Sequence, residues 1–163
     1  MEHKEFLAKE GTDPRRAIAE SICENIPANV CVLAYHMSFE QGVLTRLAET
    51  FPDLSEHLKA IAENLHDLEV PFQRMYYYNK NMQGSSSIKL VLPALFPDDP
   101  ELDYSALEGV HKGDEASAAF ADLADHSAEE VAVIRENLLK YCGLDTLAMV
   151  KVLGKLRQCC INE

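Results

Sequence analysis

The spacing of apolar residues changes several times along this chain, and each change predicts a different element of secondary structure. HKEFLA, residues 3–8, alternates like a short strand. Asp13 and Pro14 then supply an N-cap and a first-turn proline for a helix through RRAIAESICENI. VCVLAY, residues 30–35, is a continuous apolar run of strand-forming residues. Such a run predicts a central strand that is buried on both faces.

Residues 39–71 favour two helices followed by one further strand. Residues 39–50 have helical apolar spacing, FPDLS interrupts it, and Ser55 caps a second helix. LHDLEVPF then predicts a short strand that ends at Pro71. Alternation of strands and helices is typical of an α/β sheet with a parallel portion.

The C-terminal half is helical in pattern from Ser86 onward. It contains no internal repeat and no long linker, so we expect residues 1–163 to form one domain. We therefore predict an α/β fold with a helical C-terminal half. The predicted helices are SIKLVLPAL, DEASAAFADLA and residues 128–160, with Gly143 as a bend.

Composition narrows the class of protein. Of the 163 residues 47% are hydrophobic, yet nowhere do about 18 uncharged apolar residues follow one another. The charged N-terminal residues lack the apolar run of a signal peptide, and we expect a cytoplasmic protein with no membrane contact. The five cysteines are odd in number and form no Cys-x-x-Cys pair, which indicates reduced thiols rather than a disulfide framework or a zinc ribbon.

The charge is unevenly distributed. A net charge of −12 excludes a simple basic nucleic-acid binder. Residues 70–97, however, contain no acidic residue and carry Arg74, Lys80 and Lys89 beside several tyrosines. Aromatic rings beside scattered cations are typical of a groove for single-stranded nucleic acid. The alternative is a polar loop whose tyrosines pack on the core.

The segment YCGLD places Tyr141 and Asp145 four positions apart on a predicted helix. Residues with this spacing have Cβ atoms about 5–6 Å apart on one face, so both side chains could contact one ligand. Asp145 could equally be a solvated charge on the helix surface. The spacing therefore permits a site without requiring one.

Two motifs resemble those of the DEDD exonucleases with a DnaQ-like, ribonuclease H-like fold. YCGLDTLAMV resembles their third motif, in the subgroup with Tyr-x-x-x-Asp. VCVLAYHMSFEQGVL takes the place of the second motif, with His36 where the family usually has Asn and Glu40 where it usually has Asp. A second resemblance, to a domain-of-unknown-function family at the C-terminus of RecB-like nucleases, covers about residues 30–156. It is carried by the order and spacing of YHMSFEQGVL, HDLEVPF, YYYNKNMQGSSSIKLVLPAL, GDEAS and LLKYCGLDTLAMV.

The resemblance implies a ribonuclease H-like mixed sheet flanked by helices and a metal-dependent 3′ to 5′ exonuclease that acts on single-stranded ends. It implies two Mg²⁺ or Mn²⁺ ions about 3.5–4 Å apart, with Glu40 and Asp145 as ligands. Tyr141, protonated at neutral pH, would orient the attacking water. An upstream RecB-like nuclease domain is the implied partner. The residues expected to bind substrate are Arg74, Tyr77, Lys80, Ser86 and Lys89.

One motif of the exonucleases has no counterpart here. Their first motif is Asp-x-Glu on the first strand, and no such strand precedes HKEFLA. We therefore expect an N-terminally incomplete sheet and an isolated chain without catalytic activity. Two alternatives stay open: a non-catalytic nucleic-acid-binding or structural module of a larger RecB-like nuclease, and an acidic helical protein-interaction domain. Glu40 could then be a first-turn glutamate that the helix dipole favours.

Overall fold

A computed structural model describes residues 2–161, and helices contain 63% of these residues. The described residues contain only two strands, each three residues long. The predicted ribonuclease H-like mixed sheet is therefore wrong, although the helical C-terminal half is confirmed. Among the described residues, no helix combines the length and the apolar character needed to cross a membrane.

The order of elements is helix, strand, two helices, strand and four further helices. Short 3₁₀ turns join several of the later helices. The elements are α1 (Arg15–Asn25), β1 (Val32–Ala34), α2 (Ser38–Thr50), α3 (Ser55–Glu63), β2 (Leu65–Asp67), α4 (Val70–Gln73), α5 (Ile88–Leu95), α6 (Gly113–Ala121) and α7 (Ala128–Ile161).

The chain divides into two compact units. Thr12–Val70 form the first, which we call the strand unit because it contains both strands. The described residues of Met1–Gly11 and Pro71–Glu163 form the second, which we call the helical unit.

The strand unit packs α1, α2 and α3 around the pair of strands. β1 and β2 are parallel, with Val32 opposite Leu65 and Ala34 opposite Asp67. Leu58 and Ile61 of α3 are almost fully buried in its core. Because each strand has one neighbour, the prediction that VCVLAY is a central strand buried on both faces is wrong. The apolar run is instead covered on its inner side by helices.

The segment HKEFLA is not a strand. Residues 2–9 have no regular secondary structure, but Leu7 packs against a core cluster of the helical unit. The Arg135 guanidinium of α7 donates to the carbonyl oxygens of Leu7 and Ala8, at 2.9 and 2.6 Å. An arginine side chain thus takes the backbone acceptors that a neighbouring strand would use in a sheet.

The helical unit is built against α7, a helix of 34 residues. Its buried residues Leu138, Tyr141, Leu144, Ala148 and Val152 recur every three or four positions and so form one face. Both α5 and α6 pack against this helix. α7 continues through the predicted bend at Gly143 without a break.

We expect Leu92→Ala to lower the free energy of unfolding by about 2–5 kcal/mol, because it leaves a cavity where the side chain is fully buried. Leu90→Ala, on the same helix α5, is the matched control, since Leu90 is 39% exposed and its truncation should cost about 1 kcal/mol or less. Urea denaturation of both variants measures the difference. Equal losses would contradict the burial of α5.

Candidate functional site

Tyr141 and Asp145 lie within one cluster of the helical unit. Tyr141 belongs to the buried face of α7 and is only 6% exposed, whereas Asp145, one turn later, is half-buried. The hydroxyl of Tyr104, in a 3₁₀ turn at Tyr104–Ala106, donates a 2.6 Å hydrogen bond to Oδ1 of Asp145. The predicted pair is therefore joined by a second tyrosine, 41 residues earlier in the chain.

Lys89 of α5 completes this group. Its Nζ lies 5.6 Å from the ring centroid of Tyr104 and 5.8 Å from that of Tyr141, both within cation–π range. The same Nζ donates a 2.5 Å hydrogen bond to the carbonyl of His111. We call Lys89, Tyr104, Tyr141 and Asp145 the tyrosine cluster. Because Lys89 is held inside it, Lys89 differs from an ordinary surface lysine.

Both phenols of the cluster stay protonated at neutral pH. Burial raises the pKa of Tyr104 well above its usual value, and the hydrogen bond to Asp145 raises it further. Burial also raises the pKa of Tyr141, and the charge of Asp145 and a hydrogen bond to its carboxylate add to the shift. Tyr141 can therefore act as a hydrogen-bond donor and not as a base at neutral pH.

A pocket of about 620 Å³ adjoins the tyrosine cluster. Lys89 and Tyr104 belong to both the cluster and the pocket wall. The volume lies in the range of about 300–1,000 Å³ typical of small-molecule sites. The other lining residues combine apolar side chains with carboxylates and one hydroxyl: Pro93, Phe96, Pro97, Asp98, Asp99, Pro100, Leu102, Asp103 and Ser105.

Residues 70–97, the segment without acidic residues, expose two cations and two tyrosine rings. Arg74, Tyr76, Tyr78 and Lys80 are exposed, with Tyr76 at 75% and Tyr78 at 56%. Within residues 2–161, neither Arg74 nor Lys80 forms an ion pair. We call these four residues the exposed segment. It presents two cations and two rings to solvent, and Met75 between Arg74 and Tyr76 is also exposed.

Other residues predicted to bind substrate are less accessible. Tyr77 is half-buried, and its ring meets that of Phe72 edge to face at 5.7 Å. Ser86 is half-buried just before α5. The exposed rings are thus the two neighbours of Tyr77.

Glu40 lies in the strand unit, exposed in the first turn of α2. Glu40 and Asp145 therefore belong to different units. Across residues 2–161 no three His, Cys, Asp or Glu side chains are grouped to hold a metal ion. Mg²⁺ is usually bound through one or two carboxylates together with water and substrate phosphates. The half-buried Asp145 fits that kind of site and not a preformed metal cage.

The turn after β1 has an unusual backbone. His36 has a φ of 63°, in the left-handed region that non-glycine residues rarely adopt. The carboxylate of Asp67 accepts hydrogen bonds from the backbone N–H groups of His36, Met37 and Glu69, at 2.9–3.1 Å. Asp67, where β2 ends, thus holds the left-handed turn in place.

The imidazole of His36 is also held by a carboxylate. Its Nδ1 lies 2.8 Å from Oε2 of Glu69, which is only 12% exposed. The Glu69 carboxylate raises the pKa of His36, by its hydrogen bond and its charge.

Sequence reasoning missed Tyr104 as a site residue. No spacing rule relates Tyr104 to Asp145 or Lys89, because the three residues lie on a 3₁₀ turn and two different helices. The available signals were a tyrosine in a segment of helix-capping residues, DYSAL, and a lysine in an apolar helix. Neither signal identifies a partner.

One comparison with known proteins is informative. A family model described as a domain of unknown function (DUF2779) matches residues 1–87, more than half of the chain. The chain belongs to this family. The match includes the strand unit and the exposed segment, and it ends before Lys89, so the tyrosine cluster lies outside it. No curated protein and no solved structure matches the chain.

We expect the stabilisation contributed by His36 to depend on pH. The folded-state pKa of His36 is raised above the unfolded value of about 6.5, so the pair with Glu69 stabilises the fold below about pH 6.5. This stabilisation is lost as the pH rises through the folded-state pKa. His36→Gln should therefore destabilise the protein more at about pH 5.5 than at about pH 8.5. Urea denaturation measures both values.

Glu69→Gln provides the control for this prediction. Without the Glu69 carboxylate, the effect of His36→Gln should differ much less between the two pH values, because the largest causes of the raised pKa are gone and only the charges of Asp67 and Glu40 stay. A pH dependence of unchanged size after Glu69→Gln would show that the pair does not explain it.

Proposed function

We propose that this chain is an exonuclease-like domain that acts with a divalent metal ion on single-stranded nucleic acid ends. In this proposal it is related to DEDD-type exonucleases of the Tyr-x-x-x-Asp subgroup and works beside a RecB-like nuclease domain. We expect no hydrolysis by the isolated chain, because two-metal hydrolysis uses carboxylates on both sides of the metal pair. Its measurable property is therefore metal-assisted binding of a strand.

The observation that carries the proposal is the convergence of the Tyr141 and Asp145 pair with a second phenol and a lysine. Asp145 accepts the hydrogen bond of Tyr104, and Lys89 lies against the rings of Tyr104 and Tyr141. A carboxylate, protonated phenols and a cation are the groups that phosphodiester chemistry uses for metal binding, for orientation of water and for phosphate. The adjoining pocket of about 620 Å³ gives a ligand access to Lys89 and Tyr104.

Each residue of the cluster has a role in this proposal. Asp145 would hold Mg²⁺ or Mn²⁺, which when bound supplies Lewis-acid stabilisation of a phosphate oxygen. Tyr141, a phenol that is protonated at neutral pH, would donate a hydrogen bond that orients water. Lys89 adds positive charge near the phosphate while its Nζ stays anchored to the carbonyl of His111. Glu40, in the strand unit, enters no step of this proposal.

The exposed segment supports binding of a single strand. Tyr76 and Tyr78 offer ring faces for base stacking, worth about 1–3 kcal/mol for each stacked base. Arg74 and Lys80, at either end, are available to neutralise phosphates. Stacking tolerates any base, which agrees with a domain that selects a strand and not a sequence.

A second function is favoured by a specific observation. Tyr141 is buried and Asp145 already accepts a hydrogen bond from Tyr104, so packing alone accounts for both side chains. The domain would then be a non-catalytic, strand-binding module of a larger RecB-like nuclease. The two functions differ in one measurable respect, which is whether a divalent ion strengthens strand binding through Asp145.

We expect Arg74→Ala combined with Lys80→Ala to weaken binding of a single-stranded oligothymidylate and to reduce the slope of log K against log salt by about 1.4. This value assumes a contribution of about 0.7 from each neutralised phosphate. Lys112→Ala combined with Lys140→Ala removes the same charge from two ion-paired, exposed lysines and should leave the slope unchanged. Fluorescence anisotropy at several salt concentrations measures the slope. Equal slopes for the two double variants would exclude the exposed segment as the strand site.

We expect Mn²⁺ to strengthen oligothymidylate binding relative to EDTA, and Asp145→Ala to remove that gain, because the variant lacks the metal-binding carboxylate. Asp125→Ala, an exposed aspartate of the same unit, is the control and should keep the gain. Anisotropy titrations with each protein give the ratio of affinities. Binding that is equally strong in Mn²⁺ and EDTA would favour the non-catalytic module.

A further inference from the structure

A hydrogen bond within the tyrosine cluster orients the carboxylate of Asp145. Asp145 lies on α7 one turn beyond Tyr141 and is half-buried at the edge of the buried face of that helix. A half-buried carboxylate needs donors, since loss of its hydration is costly. The donor that the geometry gives to Oδ1 is the hydroxyl of Tyr104, at 2.6 Å. A hydrogen bond to an ionised group at this distance belongs to the strong class.

Tyr104 is itself held in place on several sides. Its 3₁₀ turn is capped by Asp103, whose carboxylate accepts from the backbone N–H and from the hydroxyl of Ser105, at 2.8 and 2.6 Å. The ring centroid of Tyr104 lies 6.2 Å from that of Tyr141 and 5.6 Å from the Nζ of Lys89. The phenol is therefore presented to Asp145 in one orientation, and Asp145 receives its orientation from a fixed partner.

We infer that Tyr104 is a positioning residue, which holds the carboxylate of Asp145 in the orientation needed for divalent-ion binding at the nucleic-acid site. This inference rests on the proposed function, because it assigns a role to Tyr104 at that same site. Tyr104 acts through Asp145: its hydroxyl restricts rotation of the carboxylate, so that a metal ion carried by a strand meets an oxygen that is already oriented.

A double-mutant cycle tests this role in the full chain. Tyr104→Phe keeps the ring, its packing and its contact with Lys89, and removes only the donor. We expect Tyr104→Phe to lower the affinity for oligothymidylate about tenfold in Mn²⁺, the loss typical of a hydrogen bond to a charged group, and to leave the affinity in EDTA unchanged. In an Asp145→Ala background, Tyr104→Phe should cause no further loss in Mn²⁺. Tyr35→Phe, in the strand unit, is the matched control and should behave like the wild type.

A spectroscopic readout accompanies the binding data. The phenolic proton of Tyr104 should give a downfield, slowly exchanging proton resonance, because it lies in a short hydrogen bond to a carboxylate. We expect that resonance in the wild type and in Tyr35→Phe, and not in Tyr104→Phe or Asp145→Ala. Thermal denaturation of Tyr104→Phe should show that the variant is folded.

The possible outcomes separate the inference from the proposed function. If Mn²⁺ strengthens binding equally in the wild type and in Tyr104→Phe, the positioning role is wrong and the proposed function stands. A loss that is the same in EDTA, or that persists in the Asp145→Ala background, would mean that Tyr104 touches the strand or merely supports the fold, and it would also overturn the inference. If Mn²⁺ has no effect on the wild type, the proposed function fails and the positioning role fails with it.

Discussion

Burial of one face of α7 is the constraint on which the helical unit depends. Short helices such as α5 and α6 are marginal in water by themselves, and they gain their stability by packing an apolar face on a partner. α7 supplies that partner, since its buried residues recur at helical spacing from Leu138 to Val152. Tyr141 belongs to this face, and Asp145 lies one turn further along. The same packing that stabilises the unit therefore brings a carboxylate to the edge of its core.

That position creates a requirement for hydrogen-bond donors. A carboxylate at the edge of an apolar core cannot keep its full hydration, so folding must provide donors in place of water. Tyr104 meets this requirement, and Lys89 adds a positive charge beside the two phenols. The strand unit contains a comparable arrangement, in which Asp67 accepts three backbone N–H groups and Glu69 holds the imidazole of His36. In both units a carboxylate organises the polar groups around it.

The proposed binding surface has two parts, the exposed segment and the pocket beside the tyrosine cluster, and they differ in charge. Many cations of this acidic chain are engaged in ion pairs, such as Arg16 with Asp53 and Arg135 with Glu10. Arg74 and Lys80 instead flank two exposed tyrosine rings in a segment without acidic residues. The pocket beside the tyrosine cluster carries the carboxylates of Asp98, Asp99 and Asp103. Lys89 lies in the same pocket wall, and Lys151 pairs with Asp99 at 3.1 Å, so cations lie beside these carboxylates.

The sequence alone predicted most of the helices and named three of the four residues of the tyrosine cluster, Lys89, Tyr141 and Asp145. Helical spacing predicted α2, α3, α5 and α7 close to their observed bounds, because apolar periodicity is a property of neighbouring residues. The Tyr141 and Asp145 pair was visible for the same reason. Tertiary contacts explain why VCVLAY has one strand neighbour and why Arg135 binds HKEFLA. They also bring Tyr104 to Asp145 and Lys89 to the rings of Tyr104 and Tyr141. These outcomes depend on contacts between residues far apart in sequence, and local periodicity carries no information about which distant segment will satisfy a strand edge or a buried carboxylate.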